Sequence, residues 1–132
     1  MIFADQMRDH QERCQLHLLR LRILVSGEAG AALSGQVTDG VREATNAVLA
    51  EAEAAGRAVV AAMAGGRRRS EAETFLGVRL TRLARAADEA VGAARGGDAP
   101  GLRRRLDRFN ALTAAVCAVQ QAVSVPAPRQ AR

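Results

Sequence analysis

Along the first 25 positions, residues suited to a helix interior recur at alternating steps of four and three. Phe3, Met7, His10, Cys14, His17, Leu21 and Leu24 share one face if this segment is helical. That is the a/d seam of a helix packed against other helices. The periodicity returns three more times. Val37, Val41, Ala44, Val48, Ala55, Val59 and Ala62 form a stripe over 37–64. Leu76, Leu80, Leu83, Ala87, Val91 and Ala94 form another, starting near 70. Leu102, Leu106, Phe109, Leu112, Val116, Val119 and Val123 form the last. The pattern predicts four helices, the first over 2–25.

Turn and cap residues separate the stripes. Ser26-Gly27 ends the first helix, and the small residues of 28–40 read as a loop, a short helix or the loose first turns of the second. Gly65-Gly66 ends the second. Ser70-Glu71-Ala72-Glu73 has the form of a capping box, marking the third start at Ser70. Gly96-Gly97 closes the third helix, and Asp98 caps the fourth with Pro100 in its first turn. Pro126-Ala127-Pro128 closes the last. Helices of similar length with short connections predict an all-α fold, an antiparallel up-down four-helix bundle. It forms a single domain over 1–124 with a disordered tail at 125–132.

Composition agrees with that fold. Hydrophobic residues make up 48% and aromatics 2%, so the core is built of Ala, Leu and Val. The second helix is especially rich in alanine, which suits either close approach of a neighbouring helix or a dimer surface. All 19 basic residues are arginine, a bias that a GC-rich bacterial coding sequence produces by itself, so the net charge of +5 argues little for nucleic acid. Cys14 and Cys117 each lie inside a helical pattern and make no disulfide framework, which suits reduced, packed thiols in a cytoplasmic protein. The opening Met1-Ile2-Phe3-Ala4-Asp5 is not a signal peptide, and no apolar run is long enough for a membrane span.

The chemistry of the chain concentrates on the first seam. His10, Cys14 and His17 project from one helical face over two turns, where Leu or Ile would be expected, and imidazole and thiolate are preferred ligands of Zn²⁺, Cu and Ni. The H-x3-C-x2-H pattern is similar to the H-x3-C-x2-C helix of zinc-binding anti-sigma factors. Here His17 replaces the last cysteine, the upstream cysteine is absent, and the similarity covers eight residues. If the first and fourth helices are antiparallel, Cys117 falls near the level of His10 and supplies a fourth donor. The reading preferred here is a buried, metal-free face whose imidazoles hydrogen-bond across the seam. Phosphotransfer on a histidine is disfavoured, because a seam imidazole is poorly exposed and no glycine follows His17-Leu18-Leu19-Arg20.

Charge divides unevenly: residues 1–64 carry a net −2 and residues 65–132 a net +7. Arg67, Arg68 and Arg69 precede the third helix, and Arg103, Arg104 and Arg105 open the fourth. An up-down topology puts these triplets at opposite ends, so they favour contacts with an acidic partner or a phosphate group over a continuous duplex-binding face. No phosphate-cradling loop, catalytic triad or Glu-x-x-His pair appears, so neither enzyme activity nor a cofactor is expected. The function expected is a protein–protein interaction module: an adaptor, chaperone-like factor or structural component that self-associates as a homo-oligomer. A metal- or redox-responsive bundle using the His-Cys-His face is the alternative, and a nucleic-acid-associated basic bundle the third.

Overall fold

The computed structural model describes residues 3–26, 35–63 and 65–124. Four helices follow one another: α1 (Phe3–Ser26), α2 (Gly35–Ala62), α3 (Arg67–Arg95) and α4 (Ala99–Ser124), with no strand among the described residues. At 1.5 Å per residue each is roughly 36–44 Å long. Contacts between neighbours show how they run. His10 and Arg20 of α1 meet Glu51 and Glu43 of α2, so residue numbers rise along one helix as they fall along the other. Thr38 of α2 donates to the carbonyl of Ala94, near the end of α3, and Gly56 faces Leu80 and Leu76. α4 closes the ring against both α3 and α1. The result is an antiparallel up-down four-helix bundle.

The apolar stripes explain the assembly. Met7, Cys14, Leu21 and Val25 of α1 are buried, as are Val37, Val41, Ala44, Val48, Ala52, Ala55 and Val59 of α2. α3 contributes Leu76, Leu83, Ala87, Ala90 and Ala94; α4 contributes Leu102, Leu106, Phe109 and Val116. Alanine on the inner face of α2 lets the helices approach closely, and the backbone of α2 also comes near that of α4 across the bundle diagonal, whereas the backbones of α1 and α3 stay further apart among the described residues. The buried hydroxyls of Thr45 and Thr113 donate to the carbonyls of Val41 and Phe109, so neither carries an unsatisfied polar atom into the core.

Two helix boundaries behave differently. The α3–α4 turn follows its sequence signals. Gly97 takes φ 73°, the Asp98 N–H reaches the Ala93 carbonyl and the Gly97 N–H that of Ala94, a Schellman closure of α3. The Asp98 carboxylate then accepts the Gly101 N–H at 3.0 Å and caps α4. A Cβ at residue 101 would overlap that carboxylate, so the close approach requires glycine.

The start of α3 corrects the expectation of a capping box at Ser70. The helix begins one turn earlier, at Arg67, behind Gly66, and no side chain caps it. The Ser70 N–H already bonds the Gly66 carbonyl, and Glu71 and Glu73 pair with Arg67 and Arg69 at i,i+4. With these acids engaged by arginines, the triplet itself becomes the first helical turn.

The second helix stops at Ala62 rather than at 64, and residues 35–40 of the uncertain small-residue stretch are helical. Residues 27–34 and the tail expected at 125–132 lie outside the described residues. Among the described residues no helix is long and apolar enough to cross a membrane.

Candidate functional site

The seam of α1 splits into two polar contacts, one toward each neighbouring helix. Toward α2, His10 Nδ1 lies 2.6 Å from Glu51 Oε2, and Arg13 Nε donates to Glu51 Oε1 at 2.8 Å. A nitrogen this close to a carboxylate oxygen must carry the proton, so Nδ1 donates to Glu51. Arg13 Nη2, 3.2 Å from the same nitrogen, is then a neighbour and not a donor to it. Burial pushes the Glu51 carboxyl upward, but the hydrogen bonds from His10 and Arg13 outweigh it and hold the group below the usual carboxylate range.

Toward α4, Gln11 Nε2 donates to the Cys117 carbonyl at 3.2 Å. One turn further along α1, Cys14 lies at the level of Cys117, and a hydrogen bond between the two thiols links their titration. Cys14 is 3% exposed and belongs to the main core cluster, while Cys117 is half-buried at its edge. That hydrogen bond, followed by burial, drives Cys14 well above the ordinary thiol range. The same bond stabilises a Cys117 thiolate and lowers its pKa.

Of the four candidate metal ligands, the bundle therefore brings together Cys14 and Cys117. It does not bring His10 and His17 to them. His10 is turned to Glu51, and His17, two turns further along, is half-buried, so the expected burial of this face holds for Cys14 but not for the imidazoles. A helical face spans more arc than one buried seam, and these two positions fall on its edges. Among the described residues no three His, Cys, Asp or Glu side chains converge as a ligand set.

The arginine triplets are separated by the length of α3, roughly 40 Å. Arg67, Arg68 and Arg69 are exposed in the first turn of α3, two of them paired with glutamates. Arg103, Arg104 and Arg105 sit in the second turn of α4, one turn deeper than expected, and Arg105 donates to the Gly101 carbonyl. At that depth the positive end of the helix repels them less.

The most informative surface was not singled out from the sequence. Leu16, Leu19 and Ile23 form a second three-four stripe on the outer side of α1, with Leu16 64% and Ile23 65% exposed. Phe75 and Val78 form a smaller exposed patch on α3, where the Arg79 guanidinium lies 4.2 Å from the centre of the Phe75 ring. The signal was present as apolar residues at i, i+3 and i+7 off the main seam. Glu51, an acid in an alanine-rich stretch of α2, is the residue that answers His10.

Compared with known proteins, the chain matches no family model, no curated protein and no solved structure.

Proposed function

We propose that the chain is a self-associating protein–protein interaction module, and that the occupant of its outer α1 stripe is the α3 patch of a second copy. The observation that carries this reading is the solvent-exposed run of Leu16, Leu19 and Ile23 on a well-packed helix. Large aliphatic residues at heptad spacing gain nothing from water and suit a facing helix.

Charge favours the same chain as partner. α1 and α2 together carry six arginines and seven acids, while α3 and α4 carry eleven and five. Because α1 and α3 stand on opposite corners of the bundle, one copy offers its less basic side to the basic side of the next. An antiparallel register gives local complementarity as well: Leu16 opposite Val78 and Leu19 opposite Phe75, with Glu12 facing Arg82 and Ile23 lying against the stem of Glu71 at the end of the contact. Such a contact is heterologous, so it propagates head-to-tail instead of closing as a two-fold dimer. Two or three apolar layers make it smaller than a standard interface of about 1,200–2,000 Å², so assembly is weak and rises with concentration.

Light scattering across a concentration series tests the proposal. The mean mass should climb with concentration and fall with added salt, and Ile23→Glu and Phe75→Glu should each be monomeric alone. Mixing the two variants should restore a dimer and nothing larger, because each retains the patch the other lost. A wild-type chain that stays monomeric at several hundred micromolar defeats the proposal. So does a Phe75→Glu variant that still dimerises, since that would be a symmetric α1–α1 contact or an unrelated one.

A further inference from the structure

The two cysteines lie near opposite ends of the chain, yet the bundle brings them to one level on α1 and α4. The arrangement is asymmetric. Cys14 is enclosed by the core, beyond the reach of a reagent in solution, whereas Cys117 is half-buried at the α1–α4 edge. The Gln11 side chain, one turn before Cys14, holds the Cys117 backbone at this level through its carbonyl. An accessible thiol backed by a buried one, with the register between them fixed, is the layout of an attacking and a resolving cysteine.

We propose that Cys14 and Cys117 are a dithiol oxidation site, converted by a low-molecular-weight disulfide into an intrachain disulfide that joins α1 to α4. The Cys117 thiolate attacks one sulfur of the reagent, whose S–S bond breaks, and a first thiolate leaves. The product is a mixed disulfide on Cys117. Cys14 gives up its proton to solvent and attacks the Cys117 sulfur; the mixed S–S bond breaks and a second thiolate leaves. In sum the protein loses two electrons and two protons, and the reagent is reduced to two thiols. Exposure sets the order of the steps, because Cys117 lies half-buried at the bundle edge and Cys14 is 3% exposed. The bond closes a loop of about 100 residues containing α2 and α3, so it removes much of the freedom of the unfolded chain. It also ties α1 to α4, away from the Leu16–Ile23 stripe, so it is independent of self-association.

Incubating the full chain in glutathione buffers of increasing oxidised fraction tests the site, with intact mass, free-thiol titration and thermal melting as readouts. Both thiols should disappear together, the mass should fall by two hydrogens with no glutathione retained, and the melting temperature should rise by about 10 °C. Dithiothreitol should reverse all three. Cys14→Ala should instead accumulate a glutathione adduct on Cys117, and Cys117→Ser should leave Cys14 unmodified in the folded protein. Persistence of both thiols in fully oxidised buffer overturns the assignment. A wild-type reaction that stops at the mixed disulfide, or that links only separate chains, also overturns it.

Discussion

Leu21 and Ile23 stand two residues apart on α1 with nearly equal volume, yet Leu21 is 1% exposed and Ile23 65%. Truncating each to alanine should therefore separate the inner and outer faces of the helix. Leu21→Ala removes a fully enclosed side chain from the main core cluster, a change that costs about 2–5 kcal/mol through lost transfer energy and the cavity left behind. At Ile23 only about a third of the side chain is withdrawn from water. Full burial of such a residue contributes about 1.5–3 kcal/mol, so the loss is roughly 0.5–1 kcal/mol. Alanine returns a few tenths of a kcal/mol through its better helix propensity, leaving a net change of roughly 0.5 kcal/mol or less.

Urea unfolding followed by helical circular dichroism, at low micromolar concentration to suppress association, reads both. A loss near 3 kcal/mol with a slope of about 1.5 kcal/mol per molar displaces the midpoint by roughly 2 M, while Ile23→Ala should move it by about 0.3 M or less. Equal losses at the two positions would refute the assignment of faces, since α1 would then be rolled about its axis. A midpoint for Ile23→Ala that falls further behind wild type as concentration rises would instead be the signature of self-association.

Leu83, fully enclosed in α3, should not tolerate a carboxylate: Leu83→Asp should abolish the cooperative thermal transition, because an unpaired buried charge costs much of a total stability of about 5–15 kcal/mol. Asp98→Ala removes the cap of α4 and should cost about 1 kcal/mol in the same urea assay. Gly97→Ala, at φ 73°, should cost about 1 kcal/mol as well. Glu51 is held below the ordinary carboxylate range in the folded protein, so its contribution is fully present above the unfolded carboxylate pKa of about 4.3 and is lost as pH falls through the lower folded value. The stability difference between wild type and Glu51→Gln should thus shrink as pH falls below about 4. A difference that grows on acidification would show that Glu51 takes up its proton more readily folded than unfolded.

The periodic stripes made the four helices and most of the core legible, because a residue's place on a helix follows from spacing alone. Leu83, Leu102 and Phe109 needed nothing more. Leu24 and Val25 exchanged roles, with Val25 buried and Leu24 at the edge over Gly40, because a strict seven-residue seam drifts around a helix that turns every 3.6 residues. The same drift put His10 and His17 at the flanks of the buried face.

The capping box at Ser70 misled for a different reason. The motif describes what four residues do when left to themselves, and here Arg67 and Arg69 competed successfully for the two glutamates. The Cys14–Cys117 contact was half legible: their shared level follows from antiparallel helices, but whether two thiols on separate helices turn toward each other depends on packing that spacing does not contain. His10–Glu51 was legible only as a polar residue awaiting a partner.

The polar groups on the α1 seam gain a common explanation from these contacts. Apolar seams are permissive about sliding, because one alanine or valine packs against a neighbour much as the next does. α1 is instead tied at a single level on two sides: His10 and Arg13 bind Glu51 on α2, and Gln11 and Cys14 meet Cys117 on α4. Moving α1 by one turn along either partner would separate at least one half-buried hydrogen-bonded pair and leave its members without those partners. The cost rises steeply for a charged group such as Glu51. Polar residues on a helix seam therefore specify register where hydrophobic ones supply adhesion. This accounts for imidazole, amide and thiol within two turns of α1 without requiring a bound ion. It also fixes the thiol pair in position whatever the redox state of the surroundings.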